Sequence, residues 1–136
     1  MLKPVPNDII IISLHENSAW ELRQEGYFIT ADGKKHEFDF SENYQKSPIE
    51  EIFKLPRRNG KPFLKNKDIT KILDNINQIP DSIEFDVQRH GCDMGQTTIF
   101  AVKKTKTGIY VIEIGSTGNN NRIPDELHAK TIFNMF

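Results

Sequence analysis

The chain has 136 residues, of which 37% are hydrophobic and 27% charged, and its 18 basic and 19 acidic side chains leave a net charge of −1. This length suits one domain spanning residues 1–136. The charge balance argues against a dedicated nucleic-acid-binding protein, which usually has a basic surplus. With one cysteine and no apolar run of membrane-spanning length, a reducing cytoplasmic location away from membranes is expected.

In chain order, the first predicted element is a strand containing four consecutive isoleucines, Ile9–Ile12, whose β-branched side chains disfavour a helix. Asp32-Gly33 between two aromatic-rich runs predicts a β-hairpin. Ser47-Pro48 followed by Glu50 predicts a capped helix start. Isoleucine and leucine at helical spacing predict a second helix, and alternating or β-branched runs predict the later strands. The predicted strands are residues 8–14, 27–31, 35–40, 83–88, 97–103 and 109–114, and the predicted helices are residues 48–55, 68–78 and 124–136.

The order of these elements indicates the fold class. Hairpins dominate, and no regular alternation of strand and helix appears, so a parallel sheet is not expected. The sequence therefore predicts a single α+β domain with a mostly antiparallel sheet of about five or six strands and helices packed on one face.

The segment RHGCDMGQTT, residues 89–98, contains the only cysteine and two glycines. One interpretation makes His90 a base that activates the Cys92 thiol, and another makes His90, Cys92 and Asp93 metal ligands. The metal interpretation lacks a second ligand pair at zinc spacing. We favour a shaped connection between strands, in which Gly91 and Gly95 adopt unusual backbone angles. Neither a metal ion nor a cofactor is expected, and no nucleophile elbow or phosphate-binding glycine loop is present.

Two pairs of acidic residues are spaced by two along predicted strands: Glu37 with Asp39, and Glu84 with Asp86. Such pairs can serve acid–base chemistry or bind a cation, although a solvated strand face is the commoner meaning. If all four lie on one exposed sheet face, with Asp93 nearby, they form an acidic surface that suits a basic protein partner. The basic segment Arg57–Lys67 would then lie elsewhere as a solvated loop.

The stretches GYFITADGKKHEFDFS and CDMGQTTIFAV are similar to those of small bacterial proteins. In size and element order the whole chain resembles the immunity proteins encoded beside polymorphic or contact-dependent toxins. The resemblance implies a cytosolic protein without catalysis that binds and blocks a cognate toxin domain. We expect that toxin to be a nuclease, whose phosphate-binding site is basic.

Two alternatives to an immunity protein stay open. One is a small enzyme or ligand-binding domain centred on His90, Cys92 and Asp93. The other is an oligomer that docks through the apolar C-terminal residues Phe133, Met135 and Phe136.

Overall fold

A computed structural model of the protein describes residues 1–18, 22–89, 91 and 95–136. Within these residues the chain forms one antiparallel sheet of eight strands and three helices, which confirms the α+β class. The sheet order is β4-β3-β2-β1-β6-β7-β8-β5, with the elements defined as β1 Ile9–Asn17, β2 Arg23–Thr30, β3 Lys34–Asp39, α1 Pro48–Lys54, β4 Lys61–Pro62, α2 Asn66–Gln78, β5 Phe85–Arg89, β6 Gln96–Thr105, β7 Gly108–Gly118, β8 Asn120–Pro124 and α3 Leu127–Phe133.

The expected number of five or six strands is too low, because β4 and β8 add two strands that carry no alternating pattern. β4 lies inside the predicted basic loop, where Lys61 and Pro62 pair with β3. β8 is rich in asparagine and pairs with β5 along its whole length. Both strands are defined only by their backbone hydrogen bonds to a neighbouring strand. The pattern of side chains in the sequence does not predict such pairing.

The sequence located most of the other elements. The Asp32-Gly33 hairpin forms between β2 and β3, and Gly33 there has a φ of +83°. The helix predicted after Ser47 begins at Pro48, but the Ser47 side chain makes no capping hydrogen bond. Within the described residues, no helix is long and apolar enough to cross a membrane.

The core consists of two clusters, and β1 contributes to both. Ile10 and Ile11 belong to the cluster that contains residues of α2 and α3, whereas Ile9 and Ile12 belong to the cluster that contains Ile52 of α1. The pairing of β1 with β2 changes register between Ile9 and Ile11. A bulge of this kind lets consecutive side chains point to the same side. The helices thus contribute to different clusters, and the expectation that they all pack on one face is not confirmed.

His36 on β3 is buried, and its ring stacks on Phe28 with 4.8 Å between centroids. Its Nε2 atom lies 3.2 Å from the Thr30 hydroxyl. The backbone of the basic segment packs directly against this ring, since a Cβ added at Gly60 would lie 2.5 Å from the imidazole Cε1 atom. Burial lowers the pKa of His36 below its ordinary value.

Candidate binding surface

The structure separates the two acidic pairs that the sequence singled out. Glu37 and Asp39 are exposed on β3, whereas Asp86 is exposed on β5 and Glu84 immediately precedes that strand. β3 is second and β5 eighth in the sheet order, so they stand six strand steps apart. At about 4.8 Å a step, this is roughly 29 Å along the sheet. The expected single surface of four acids is therefore corrected to two separate pairs.

A third carboxylate joins the β3 pair. In the register of the β2–β3 hairpin, Glu25 lies directly opposite Asp39. Phe38 belongs to the cluster that contains α1, so its neighbours Glu37 and Asp39 point to the other sheet face, and Glu25 shares that face with them. We call Glu25, Glu37 and Asp39 the acidic strip. Sequence reasoning missed Glu25, although the hairpin register set by Asp32-Gly33 would have found it.

Hydrogen bonds favour the charged form of Asp39 in the acidic strip. The Ser41 hydroxyl and its backbone N–H donate hydrogen bonds to Asp39 and hold the pKa of that carboxyl below its usual value. Opposed carboxylates on neighbouring strands repel each other. The guanidinium of Arg23, whose Nη1 atom lies 3.1 Å from Oε1 of Glu25, offsets part of that repulsion.

Beside the acidic strip lies a cleft of about 500 Å³, which we call the hydroxyl cleft. Its floor carries the hydroxyl groups of Ser13, Tyr27, Thr97 and Thr117 from four adjacent strands. Its wall is the C-terminal end of the chain, with Phe133, Asn134 and Phe136. Tyr27 lies opposite Glu37 in the hairpin register, so it connects the cleft to the acidic strip.

Three of the four floor hydroxyls, those of Ser13, Tyr27 and Thr97, have hydrogen-bond partners within the protein. The Tyr27 hydroxyl bonds to Ser13, and burial raises the pKa of Tyr27, so its hydroxyl stays neutral. The Thr97 hydroxyl lies 2.8 Å from Nδ1 of His15. Each hydroxyl oxygen has two lone pairs, so these hydroxyls retain acceptor capacity toward the cleft.

The residues proposed for the alternative site, His90, Cys92 and Asp93, lie outside the described residues. The segment that contains them has described residues on both sides. It joins β5 to β6, which are separated in the sheet by β8 and β7. The Gly91 N–H donates to the Asn119 carbonyl at 3.4 Å, and the Asn119 N–H donates to the Gly95 carbonyl at 2.9 Å. Gly91 and Gly95 therefore both bond to Asn119 in the turn between β7 and β8, and Gly95 has a φ of +73°.

A larger groove of about 730 Å³ lies at the far end of the sheet and is lined by both β7 and the residues around β5. Two charged side chains of its lining, Glu113 and Lys103, have partners within the protein. Arg122 lies 3.3 Å from the Glu113 carboxylate and 4.5 Å from the centroid of the Phe85 ring, and Lys103 donates to the Ile79 carbonyl at 3.5 Å. In the described part of the chain, no group of three His, Cys, Asp or Glu side chains could hold a metal ion.

Comparison of the chain with models of known protein families, with curated proteins and with solved structures finds no match. Any function must therefore be inferred from the residues themselves.

Proposed function

We propose that the protein is a non-catalytic binding module that blocks a basic partner, in the role of an immunity protein for a bacterial toxin domain. The observation that carries this proposal is the position of the acidic strip beside the hydroxyl cleft on one open stretch of sheet. Protein interfaces commonly have a centre depleted in charge and a polar rim. The hydroxyl cleft has the chemistry of such a centre, and the acidic strip that of the rim.

The charge of this surface indicates the kind of partner. Three carboxylates, Glu25, Glu37 and Asp39, stand on two neighbouring strands. Two cations, Arg23 and Lys35, lie on the same face, so the surface has a local excess of one negative charge. A toxin nuclease must hold phosphates, so its active site has a positive potential. An acidic surface attracts that site over several ångströms and accelerates association, which suits an inhibitor that must act before its partner does.

The test uses the product of the neighbouring gene, which on this proposal contains the toxin domain. Isothermal titration compares the wild type with a strip variant carrying Glu25→Gln, Glu37→Gln and Asp39→Asn. Exposed ion pairs contribute about 0.2–1 kcal/mol each, so losing three is expected to weaken binding roughly tenfold. Protection of growth during co-expression with the toxin should fall in parallel.

A matched control neutralises three exposed acids at the other end of the sheet, Asp81→Asn, Glu84→Gln and Asp86→Asn. Both variants change the net charge by the same amount, so the long-range electrostatic attraction of the whole protein to a basic partner is reduced equally in the two. Binding by the control should stay within about twofold of wild type. Equal losses in both variants, or a loss in the control alone, would contradict the proposal, the latter because the partner would then bind near β5.

A further inference from the structure

One edge of β7 has a strand partner at a single position. In the described part of the chain, β7 pairs with β8 only where Ser116 lies opposite Arg122. On its other side β7 pairs with β6 from Gly108 to Gly118. β7 and β8 therefore diverge along residues 108–114, and that part of β7 has an open edge although the strand lies inside the sheet order.

The hydrogen bonds of β6 show which backbone groups point to the open edge. The Lys104 carbonyl accepts from the Leu2 N–H at 2.8 Å, so it points away from β7. Lys104 lies opposite Ile109, and opposed residues of an antiparallel pair either bond to each other or both point outward. Because this alternates along a strand, the N–H and C=O groups of Ile109, Val111 and Glu113 all point to the open edge.

The groove of about 730 Å³ runs along this edge. Tyr110 and Val111 are neighbours on β7, so their side chains point to opposite faces of the sheet, yet both residues line the groove. The groove therefore follows the edge between the two faces. Its opposite wall consists of Asp81, Ile83 and Phe85.

The open edge of β7 lacks the features that protect the two ends of the sheet. Edge strands commonly avoid unwanted pairing by being short or by carrying proline and charge. β4 has two residues, one of them a proline, and β5 carries charges of both signs. From Gly108 to Ile112, β7 has neither proline nor charge, and Ile109 and Tyr110 are 56% and 49% exposed. An apolar edge of this kind suits the addition of a further strand.

From this geometry we infer that the open edge of β7 binds an extended, apolar segment of another protein by strand addition. Such a segment repeats its N–H and C=O groups at the spacing of Ile109, Val111 and Glu113. These three residues span about 14 Å at 3.4 Å per residue, which matches five residues of the segment. Its side chains would lie beside Ile109 and Val111 on one face and beside Tyr110 and Ile112 on the other, so apolar side chains fit best.

Two other occupants fit this edge less well. The N-terminal segment of the chain is bonded on the far side of β6 through Leu2, and the C-terminal residue Phe136 lies at the hydroxyl cleft. A second copy would bring the edge of a whole sheet together with its own wall of residues 81–85. The wall at Ile83 and Phe85 leaves a groove for one extended segment, whereas pairing two such edges requires both walls to move.

The test uses a synthetic pentapeptide of alternating valine and threonine with blocked ends. Its control is the same peptide N-methylated at every residue, which keeps the side chains and removes the backbone donors. In the ¹⁵N-labelled protein alone, the amide protons of Ile109, Val111 and Glu113 should exchange rapidly, and those of Tyr110 and Ile112, which face β6, slowly. The peptide, at about ten times its dissociation constant, should slow the first three about tenfold, and the methylated peptide should have no effect.

Two variants and a matched control locate the binding. Val111→Pro removes the central N–H of the open edge, a change that an unpaired edge position tolerates, so it should abolish peptide binding while thermal unfolding stays cooperative. Tyr110→Ala keeps the backbone and removes a lining side chain, so binding should weaken about threefold. Phe63→Ala truncates an aromatic residue that is similarly exposed, at 47%, and should leave binding unchanged.

Slow exchange of Ile109 and Val111 in the protein alone would overturn the inference, and a dependence on protein concentration would identify a second copy as the occupant. Equal binding of the methylated peptide, or unchanged binding by folded Val111→Pro, would also overturn it. The inference does not depend on the proposed function, because residues 108–113 belong neither to the acidic strip nor to the hydroxyl cleft. Loss of the immunity role with retained peptide binding would overturn only that role.

Discussion

Truncating Ile52 tests how the helices are divided between the two clusters. Ile52 is fully buried and is the one buried residue of α1. Ile52→Ala removes three carbon atoms, worth about 0.8 kcal/mol each in transfer free energy, and leaves a cavity, so we expect a loss of about 3–4 kcal/mol. For 136 residues the entropy of unfolding is about 0.29 kcal/mol/K, so the melting temperature should fall by roughly 10–14 °C.

A double-mutant cycle then separates the clusters. Ile72 of α2 and Ile132 of α3 are fully buried in the cluster that excludes Ile52. Urea unfolding should give additive losses for Ile52→Ala with Ile132→Ala, within about 0.5 kcal/mol, because the two residues belong to separate clusters. Ile72→Ala with Ile132→Ala should couple by more than that. Strong coupling between Ile52 and Ile132 would refute the division of the helices described above.

Three further predictions concern single residues. The pKa of His36 is lower in the folded chain than in the unfolded one, so the free energy of unfolding should fall as the pH drops below about 6.5, by at most about 1.4 kcal/mol per pH unit. Urea titrations at pH 7 and pH 5 should show a smaller fall for His36→Gln than for the wild type. Gly33→Ala places a Cβ 2.5 Å from the Leu64 carbonyl oxygen at a φ of +83°, so thermal unfolding should show a loss of about 1–3 kcal/mol, and a neutral effect would contradict the turn geometry. Glu126→Ala removes the carboxylate that accepts from the Ala129 N–H at 2.7 Å and should cost about 1 kcal/mol, whereas Glu126→Gln, which keeps an acceptor, should cost less.

Local sequence signals predicted much of the fold. The isoleucine run of β1, the Asp32-Gly33 turn and the isoleucine spacing of α2 each report a local preference, and all three elements form. The order of strands in the sheet depends on pairings between distant segments, which such signals do not contain. β5 follows α2 in the chain and precedes β6, yet it lies at the sheet edge, three places from β6.

The same limit explains the outcome for the candidate surface. Glu37 and Asp39 share a face because of strand periodicity, which the sequence shows directly. Their distance from Asp86 follows from the strand order, and the nearness of Glu25 follows from the hairpin register. The hydroxyl cleft could not be predicted, because its floor combines residues 13, 27, 97 and 117, and only the folded sheet places them side by side.

Hydrogen–deuterium exchange in the presence of the product of the neighbouring gene, the proposed toxin, tests the central claim most directly. The account predicts slower exchange in peptides covering β2 and β3 and in the β7 segment around Thr117, with β5 and β8 unchanged. Protection confined to β5 and β8, or no protection by that toxin domain at concentrations that saturate a specific complex, would contradict it.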